Sequence, residues 1–220
     1  VLSIIIPYRD REQHLKKFIP HMNNFLKGID YKIVIVEQEE GKAFNRAKLL
    51  NIGFDLTKEK SSYFCFHDID MLPASSECDY SFVKGVCKLS YYVSQFNFIP
   101  RPDNELGGVT LIDKDSFLDV NGYSNNYWGW GVEDNDFALR CSLKGINFSV
   151  RKGKYISLFH KPNGDTYGDA PSENLIKNRK YFQDIRQNKE TFFSDGISAL
   201  EYKVLDFKNN NTFFHYKVSL

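Results

Sequence analysis

Residues 63–70 read YFCFHDID, an apolar run that breaks abruptly into two carboxylates, Asp68 and Asp70, with Ile69 between them. Such a run makes an interior strand of an α/β sheet, buried on both faces, with the carboxylates at or just past its C-terminal end. Open α/β sheets bind ligands outside that edge. Two carboxylates so spaced form no cage by themselves and favour an external divalent cation shared with an anionic ligand. A surface turn carrying two acids would give the same letters, so the rest of the chain must decide between them.

Upstream, Val1 to Ile6 is another apolar run, ended by Pro7 and followed by Tyr8, Arg9, Asp10 and Arg11. Leu15, Phe18, Met22 and Phe25 recur at helical spacing, and Pro20 is expected to kink or interrupt that helix. Ile33 to Val36 reads as a short strand and Glu37 to Gly41 as the loop leaving it. Ala43 to Phe54 reads as a helix with Ala47, Leu50 and Phe54 on its buried side and Gly53 near its end. Strand, helix, strand, helix, strand with short connections predicts parallel βαβ units with right-handed crossovers. Arg9, Arg11 and Arg46 fall near the ends of these elements. They are solvated surface arginines, or they converge on the acidic edge, where planar guanidinium forks suit phosphate. No GxGxxG follows the first strand and no GxxxxGK[ST] occurs, which disfavours a dinucleotide dehydrogenase and a P-loop nucleotidase.

Beyond Asp70, the region to Asn104 carries Tyr80, Phe82, Tyr91, Tyr92, Phe96 and Phe98 without a decisive period, and reads as packed strands or binding loops. Gly107 and Gly108 precede the apolar stretch Val109 to Ile112. They permit close backbone approach to a ligand or form an ordinary turn. Asp115 is expected to cap a short helix ended by Gly122. Residues 128–136, WGWGVEDND, hold both tryptophans interleaved with Gly129 and Gly131. Flat rings on a permissive backbone suit a loop folding over a sugar. Glu133 to Asp136 would fill the first turn of a helix that closes at Gly145, where acids are favoured in any case. Asp134 has no lysine or arginine beside it in sequence before Arg140.

With 220 residues and 42% hydrophobic content, the chain can fill a sizeable core, and residues 1–220 are expected to form a single domain. A formal net charge of +1 gives no whole-protein field for nucleic acid or an anionic membrane. Cys65, Cys78, Cys87 and Cys141 have neither paired metal spacing nor the density of a disulfide scaffold, and read as reduced thiols. No apolar run approaches about eighteen residues, so no transmembrane segment is expected in this chain. Val1 lies within a strand-like run, so an anchor or leader could precede it.

Six blocks carry a resemblance: PYRDR at 7–11, FNRAKLLNIGF at 44–54, HDIDMLP at 67–73, ELGGV at 105–109, NGYSNNYWGWGVEDNDFALR at 121–140 and KETFFSDGISALEYKVLD at 189–206. In this order they resemble the catalytic domain of the β-1,4-galactosyltransferase family. The resemblance implies a GT-A fold, that is, an α/β architecture with a Rossmann-like, mostly parallel central sheet and flanking helices. It also implies a manganese-dependent inverting transfer of galactose or N-acetylgalactosamine from UDP-Gal or UDP-GalNAc, with magnesium or another divalent cation as an alternative.

By this resemblance Pro7, Arg9, Arg11, Phe44, Arg46, Asp68, Glu105 and Gly108 match donor-binding positions, and Asp70 and His160 match metal ligands. Trp130 matches the mobile tryptophan that touches donor and acceptor, Asp134 the general base and Glu133 its acidic neighbour. Asn135 and Phe182 match acceptor-site positions. Four positions of the chain depart from the family pattern. Ser157 stands where the family has a methionine ligand, and Val132 where it has a second glycine. Asn135 replaces an acid, and Glu105 stands where a residue helps select the donor sugar.

The implied acceptor is a saccharide, GlcNAc or GlcA terminated. The implied compartment is the cytoplasm or cytoplasmic membrane face for a bacterial enzyme, or the Golgi lumen for an animal one with an omitted anchor. Two alternatives remain: another metal-dependent nucleotide-sugar transferase, and a non-catalytic sugar-binding protein on a degenerate version of the fold.

Overall fold

The structure is a computed structural model that describes residues 1–159, 172–188, 192–210 and 212–220. In chain order the elements are β1 (Leu2–Tyr8), α1 (Glu12–Phe25), β2 (Tyr31–Gln38), α2 (Arg46–Thr57), β3 (Tyr63–His67), β4 (Met71–Pro73), β5 (Val86–Lys88), β6 (Tyr92–Val93), β7 (Val109–Asp113), α3 (Lys114–Asp119), α4 (Glu133–Leu143), β8 (Phe148–Val150), β9 (Lys154–Ser157), α5 (Glu173–Ile185), β10 (Lys203–Asn210) and β11 (Phe213–Ser219). Among the described residues, an eight-stranded sheet runs β10-β11-β2-β1-β3-β7-β5-β8, and a small sheet runs β4-β9-β6. The centre is parallel, with β11, β2, β1 and β3 side by side in one direction. β7 then runs antiparallel to β3.

The opening βαβαβ order follows from residue pattern. In β1, Ile4 and Ile6 join Phe18 and Met22 of α1 in one buried cluster, whereas Ile5 joins Leu49, Leu50 and Phe54 of α2 in the other. Alternate side chains leave a strand on opposite faces, so a continuous apolar run is what a sheet covered on both sides requires. β3 behaves the same way, with Cys65 on the α1 side and Phe64 and Phe66 on the α2 side. Burying each such phenylalanine contributes about 1.5–3 kcal/mol. Phe66 packs against Phe117, Tyr123 and Phe137 at ring separations of 4.8, 5.3 and 6.3 Å, which ties α3 and α4 to the sheet.

Several boundaries differ from sequence expectation. Pro7 does not end the first strand, because β1 continues through Tyr8 paired with β2. Pro20 does not interrupt α1, which runs unbroken with the proline on its exposed side, where water can satisfy the carbonyl that loses its partner. α2 begins at Arg46 instead of Ala43, because the Asn45 side chain accepts from Lys48 N and sets the start there. Gly53 does not close α2; a Cβ there would lie 2.3 Å from Ile5 Cγ2, so the glycine lets helix and strand approach. Asp113, not Asp115, caps α3 by accepting from Ser116 N. The aperiodic region to Asn104 contains three short strands, β4, β5 and β6, too brief to show a period.

All four cysteines are free and buried. Among the described residues no helix is long and apolar enough to cross a membrane.

Candidate active site

Asp68 and Asp70 follow β3 at the C-terminal edge of the parallel strands, as its sequence requires. Because β7 is antiparallel to β3, the register His67↔Val109 brings Gly107 and Gly108 to the same edge. Asp68 N donates to Gly108 O at 2.9 Å. Two helix starts face this edge, that of α2 with Arg46 and that of α4 with Glu133 and Asp134.

Arg46 joins them. Its Nε donates to Asp68 Oδ1 at 2.7 Å and its Nη1 to Asp134 Oδ1 at 2.9 Å, with Glu133 Oε1 3.8 Å from Nη1. Burial opposes the charge on Arg46, but the carboxylates of Asp134, Asp68 and Glu133 outweigh it and hold the guanidinium pKa well above its usual value. Burial raises Asp68 to about 6, with Arg46 pulling it down and the charges of Asp70 and Asp134 pushing it up. Burial likewise raises Glu133 to about 7, reinforced by Asp134 and opposed by Arg46. One cation thus organises three acids drawn from two distant segments.

Gly107 completes this junction. A Cβ at that position would lie 2.6 Å from Asp134 Oδ2, so a side chain there would displace the carboxylate. The Asp134 carboxylate therefore has one oxygen on Arg46 and the other against bare backbone.

A second support lies beneath Asp68. His67 Nδ1 is 2.9 Å from Asp68 O, and its Nε2 is 2.9 Å from Tyr80 Oη, which also receives the Tyr155 hydroxyl at 3.2 Å. A carbonyl only accepts, so Nδ1 carries the proton and Nε2 accepts from Tyr80. Burial depresses the His67 pKa to about 4, which keeps the ring neutral and this chain of bonds intact near neutrality. In the sequence, the signal for this role of His67 is its adjacency to Asp68 inside the HDID run.

The remaining sequence-selected residues divide. Arg9 donates to Lys42 O at 2.8 Å and lies 5.3 Å over the Phe44 ring, so these two form one unit beside the start of α2. Pro7 is buried within β1 just before them. Arg11 stands apart, accepting Leu15 N at its carbonyl and lining an open cleft of about 560 Å³ with Tyr8, Glu37 and His215. The Glu105 carboxylate turns to Arg101, 2.5 Å away on its own loop. Trp130 is 54% exposed at the tip of its loop, and Asn135 is exposed on the first turn of α4. Phe182 lies half-buried on α5 with Arg186 5.8 Å over its ring.

His160 lies outside the described residues. Leu158 donates its N–H to Asp70 O at 2.7 Å. Ser157 gives its hydroxyl to Gln95 at 3.0 Å. Among the described residues no three His, Cys, Asp or Glu side chains gather as a metal cluster. An oxygen from Asp70 and the donors carried by an anionic ligand still suit a hard divalent cation, so the residues present fit such an ion.

Within the C-terminal block, residues 192–199 are structural. Asp195 accepts from Ser124 Oγ, from Asn125 N at 3.1 Å and from Asn126 Nδ2 at 3.0 Å, and buried Arg140 donates to its carbonyl at 2.7 Å. This fastens residues 192–199 behind the segment that leads into the tryptophan loop.

Two family models match the chain: the N-terminal region of glycosyl transferase group 7 over residues 1–82, and the N-terminal domain of galactosyltransferase over residues 88–161. Human β-1,4-galactosyltransferase 4 is 34% identical over 99% of this chain and 62% of its own length. The chain spans about 60% of the length of the curated relatives it matches. Among solved structures, the catalytic domain of Drosophila β-1,4-galactosyltransferase 7 in complex with xylobiose superposes with a TM-score of 0.82 at 26% identity, covering 100% of this chain and 93% of that one. A mutant of the same enzyme in complex with manganese, UDP-Gal and xylobiose gives a TM-score of 0.72 at 27% identity, with the same coverage.

Proposed function

Because this chain belongs to the β-1,4-galactosyltransferase family and has its GT-A fold, we propose that it transfers galactose or N-acetylgalactosamine from a UDP-sugar to a terminal sugar hydroxyl, forming a β-1,4 linkage with inversion. The observation that carries this reading is the junction at Arg46, where Asp68, Glu133 and Asp134 meet from separate segments around one buried guanidinium.

Arg9 and Phe44 hold the uridine end of the donor, with Pro7 behind them in β1 and Arg11 on the neighbouring cleft, and Gly108, packed against Ser90, supplies the backbone turn that holds Asp68. Asp70 and His160 hold the divalent cation, manganese or magnesium, which when bound supplies positive charge to the departing diphosphate. Arg46 and Asp68 complete the polar wall on that side. Asp134 accepts the proton of the acceptor hydroxyl as the oxygen attacks the anomeric carbon. Arg46 and Gly107 fix the direction of that carboxylate before substrate arrives. Trp130 closes over donor and acceptor and excludes water, with Asn135 and Phe182 bordering the acceptor. Attack opposite the leaving phosphate turns an α-linked donor into a β-linked product, and no protein nucleophile takes part. Glu105, held by Arg101, lies on the loop leading to Gly108, where it bears on the choice between Gal and GalNAc.

The test is UDP release with UDP-Gal and UDP-GalNAc against GlcNAc-, GlcA- and xylose-terminated acceptors, followed by linkage analysis of the product. Asp70→Asn should abolish nearly all metal-stimulated transfer. Near-normal turnover with an unchanged manganese titration in that variant would reject the assignment of Asp70. Donor binding without UDP release for any acceptor would favour the non-catalytic alternative.

A further inference from the structure

The inward face of α5 packs mainly on residues 126–131, with Tyr181 also donating to Asp195 at 3.3 Å. Leu175, Asn178 and Tyr181 lie three residues apart along the helix and so share a face. Tyr181 packs edge-on to Tyr127 at 5.3 Å and receives Asn126 Nδ2 at 3.1 Å. Leu175 Cδ1 lies 2.9 Å from where a Cβ on Gly131 would stand, and Gly131 has φ +100°, a backbone conformation that favours glycine. Between them Asn178, 4% exposed, donates from Nδ2 to Trp128 O at 3.0 Å and to Gly131 O at 3.1 Å. Both partners are carbonyls, which only accept, so the amide nitrogen must face the loop and both its hydrogens are used.

We propose that Asn178 is a positioning residue of the transfer reaction, an amide clasp on the two carbonyls that bracket Gly129 and Trp130 and set the direction of the Trp130 ring. On the opposite side Gly129 N donates to Phe44 O at 2.8 Å, so the loop is held between α5 and the residues just before α2. The clasp also reaches the catalytic machinery, because Gly131 immediately precedes the Val132 cap of α4 and stands three residues before Asp134. One buried amide therefore aligns the ring over the acceptor and the start of the helix that carries the base. Serine at the cap of α5 reinforces this, since Ser172 Oγ accepts Leu175 N and fixes where the helix begins.

The inference rests on the transferase reading for its catalytic consequence, and its test has an arm that needs no turnover. Asn178→Asp keeps the shape but turns a double donor into an acceptor facing two carbonyls; Asn178→Ala removes the group altogether. Amide hydrogen exchange of residues 128–133 should speed up by roughly tenfold or more in both variants, the effect of losing two modest hydrogen bonds, while the β1 and β3 amides keep the parent rate. Acceptor KM should rise by about the same factor, with UDP affinity within about twofold of the parent. Loop exchange within twofold of the parent in whichever variant folds would overturn the clasp. Faster exchange with acceptor KM and kcat both unchanged would overturn the positioning role. A folded parent that transfers no sugar would count against the transferase reading instead, and loop exchange would still decide whether Asn178 holds the loop.

Discussion

Arg46 Nη1 lies 2.9 Å from Asp134 Oδ1, although the two residues are 88 positions apart in sequence. The same guanidinium reaches Asp68 at 2.7 Å, so the acid pair after β3 and the acids at the start of α4 share a single cation. With an Arg46 side chain only 12% exposed, solvent cannot replace it. Arg46→Met should therefore destabilise the protein by about 3–5 kcal/mol, the usual cost of leaving buried charges without their partner. Urea unfolding at pH 7 measures this, and a loss below about 1 kcal/mol would mean that the three acids adapt without the cation.

Asp134→Asn retains an oxygen that can still accept from Arg46, so the junction should stay assembled while basicity is lost. Turnover should fall by roughly 100-fold or more, the contribution of a general base, with UDP-sugar affinity retained. Rate, affinity and melting temperature should be taken on one preparation at saturating acceptor. A folded variant working within threefold of the parent would shift attention to Glu133.

Glu133 gives a pH signature in stability. Its pKa is raised to about 7 by burial first and by Asp134 second, from an ordinary carboxylate value of 4.5. The native state therefore holds this proton more tightly than the unfolded chain. The stability it confers is fully present below about pH 4.5 and is lost as pH rises through about 7. Glu133→Gln, which cannot ionise, should remove that part of the pH slope, so that stability curves of parent and variant diverge across this interval. Parallel curves from pH 4.5 to 7.5 would show that Glu133 binds its proton no more tightly in the native state than in the unfolded chain.

Val132 holds a left-handed backbone with φ +83°, ψ −23° at the start of α4. A β-branched residue pays about 1–2 kcal/mol for this conformation, whereas glycine adopts it freely but loses more entropy on folding. Val132→Gly should accordingly raise stability by about 0.5–1 kcal/mol. Chemical denaturation reads the difference directly, and a destabilised variant would mean that the valine side chain contributes more packing than the strain removes.

The parallel βαβαβ core is legible in the residue pattern, because strands covered on both faces need continuous apolar centres, and Ile4–Ile6 of β1, Ile33–Val36 of β2 and Tyr63–Phe66 of β3 supply them. The placement of the acids was also legible, since an interior strand over Tyr63–His67 puts Asp68 and Asp70 just past its C-terminal end. Helix limits were less legible: Asn45 and Asp113 displaced the expected starts of α2 and α3 through single side-chain hydrogen bonds that no periodicity reveals. The surroundings of Asp134 come from the docking of elements distant in sequence. Local sequence shows no basic neighbour before Arg140, yet α4 delivers the carboxylate to Arg46 on one side and to the bare backbone of Gly107 on the other. The same holds for Asn178, an unremarked letter in a polar helix until α5 docks and its amide meets Trp128 O and Gly131 O. Periodicity records which face of an element is buried, because burial acts on each side chain separately. Which polar groups meet across a junction depends on the docking of whole elements, and that is a property of the folded chain alone.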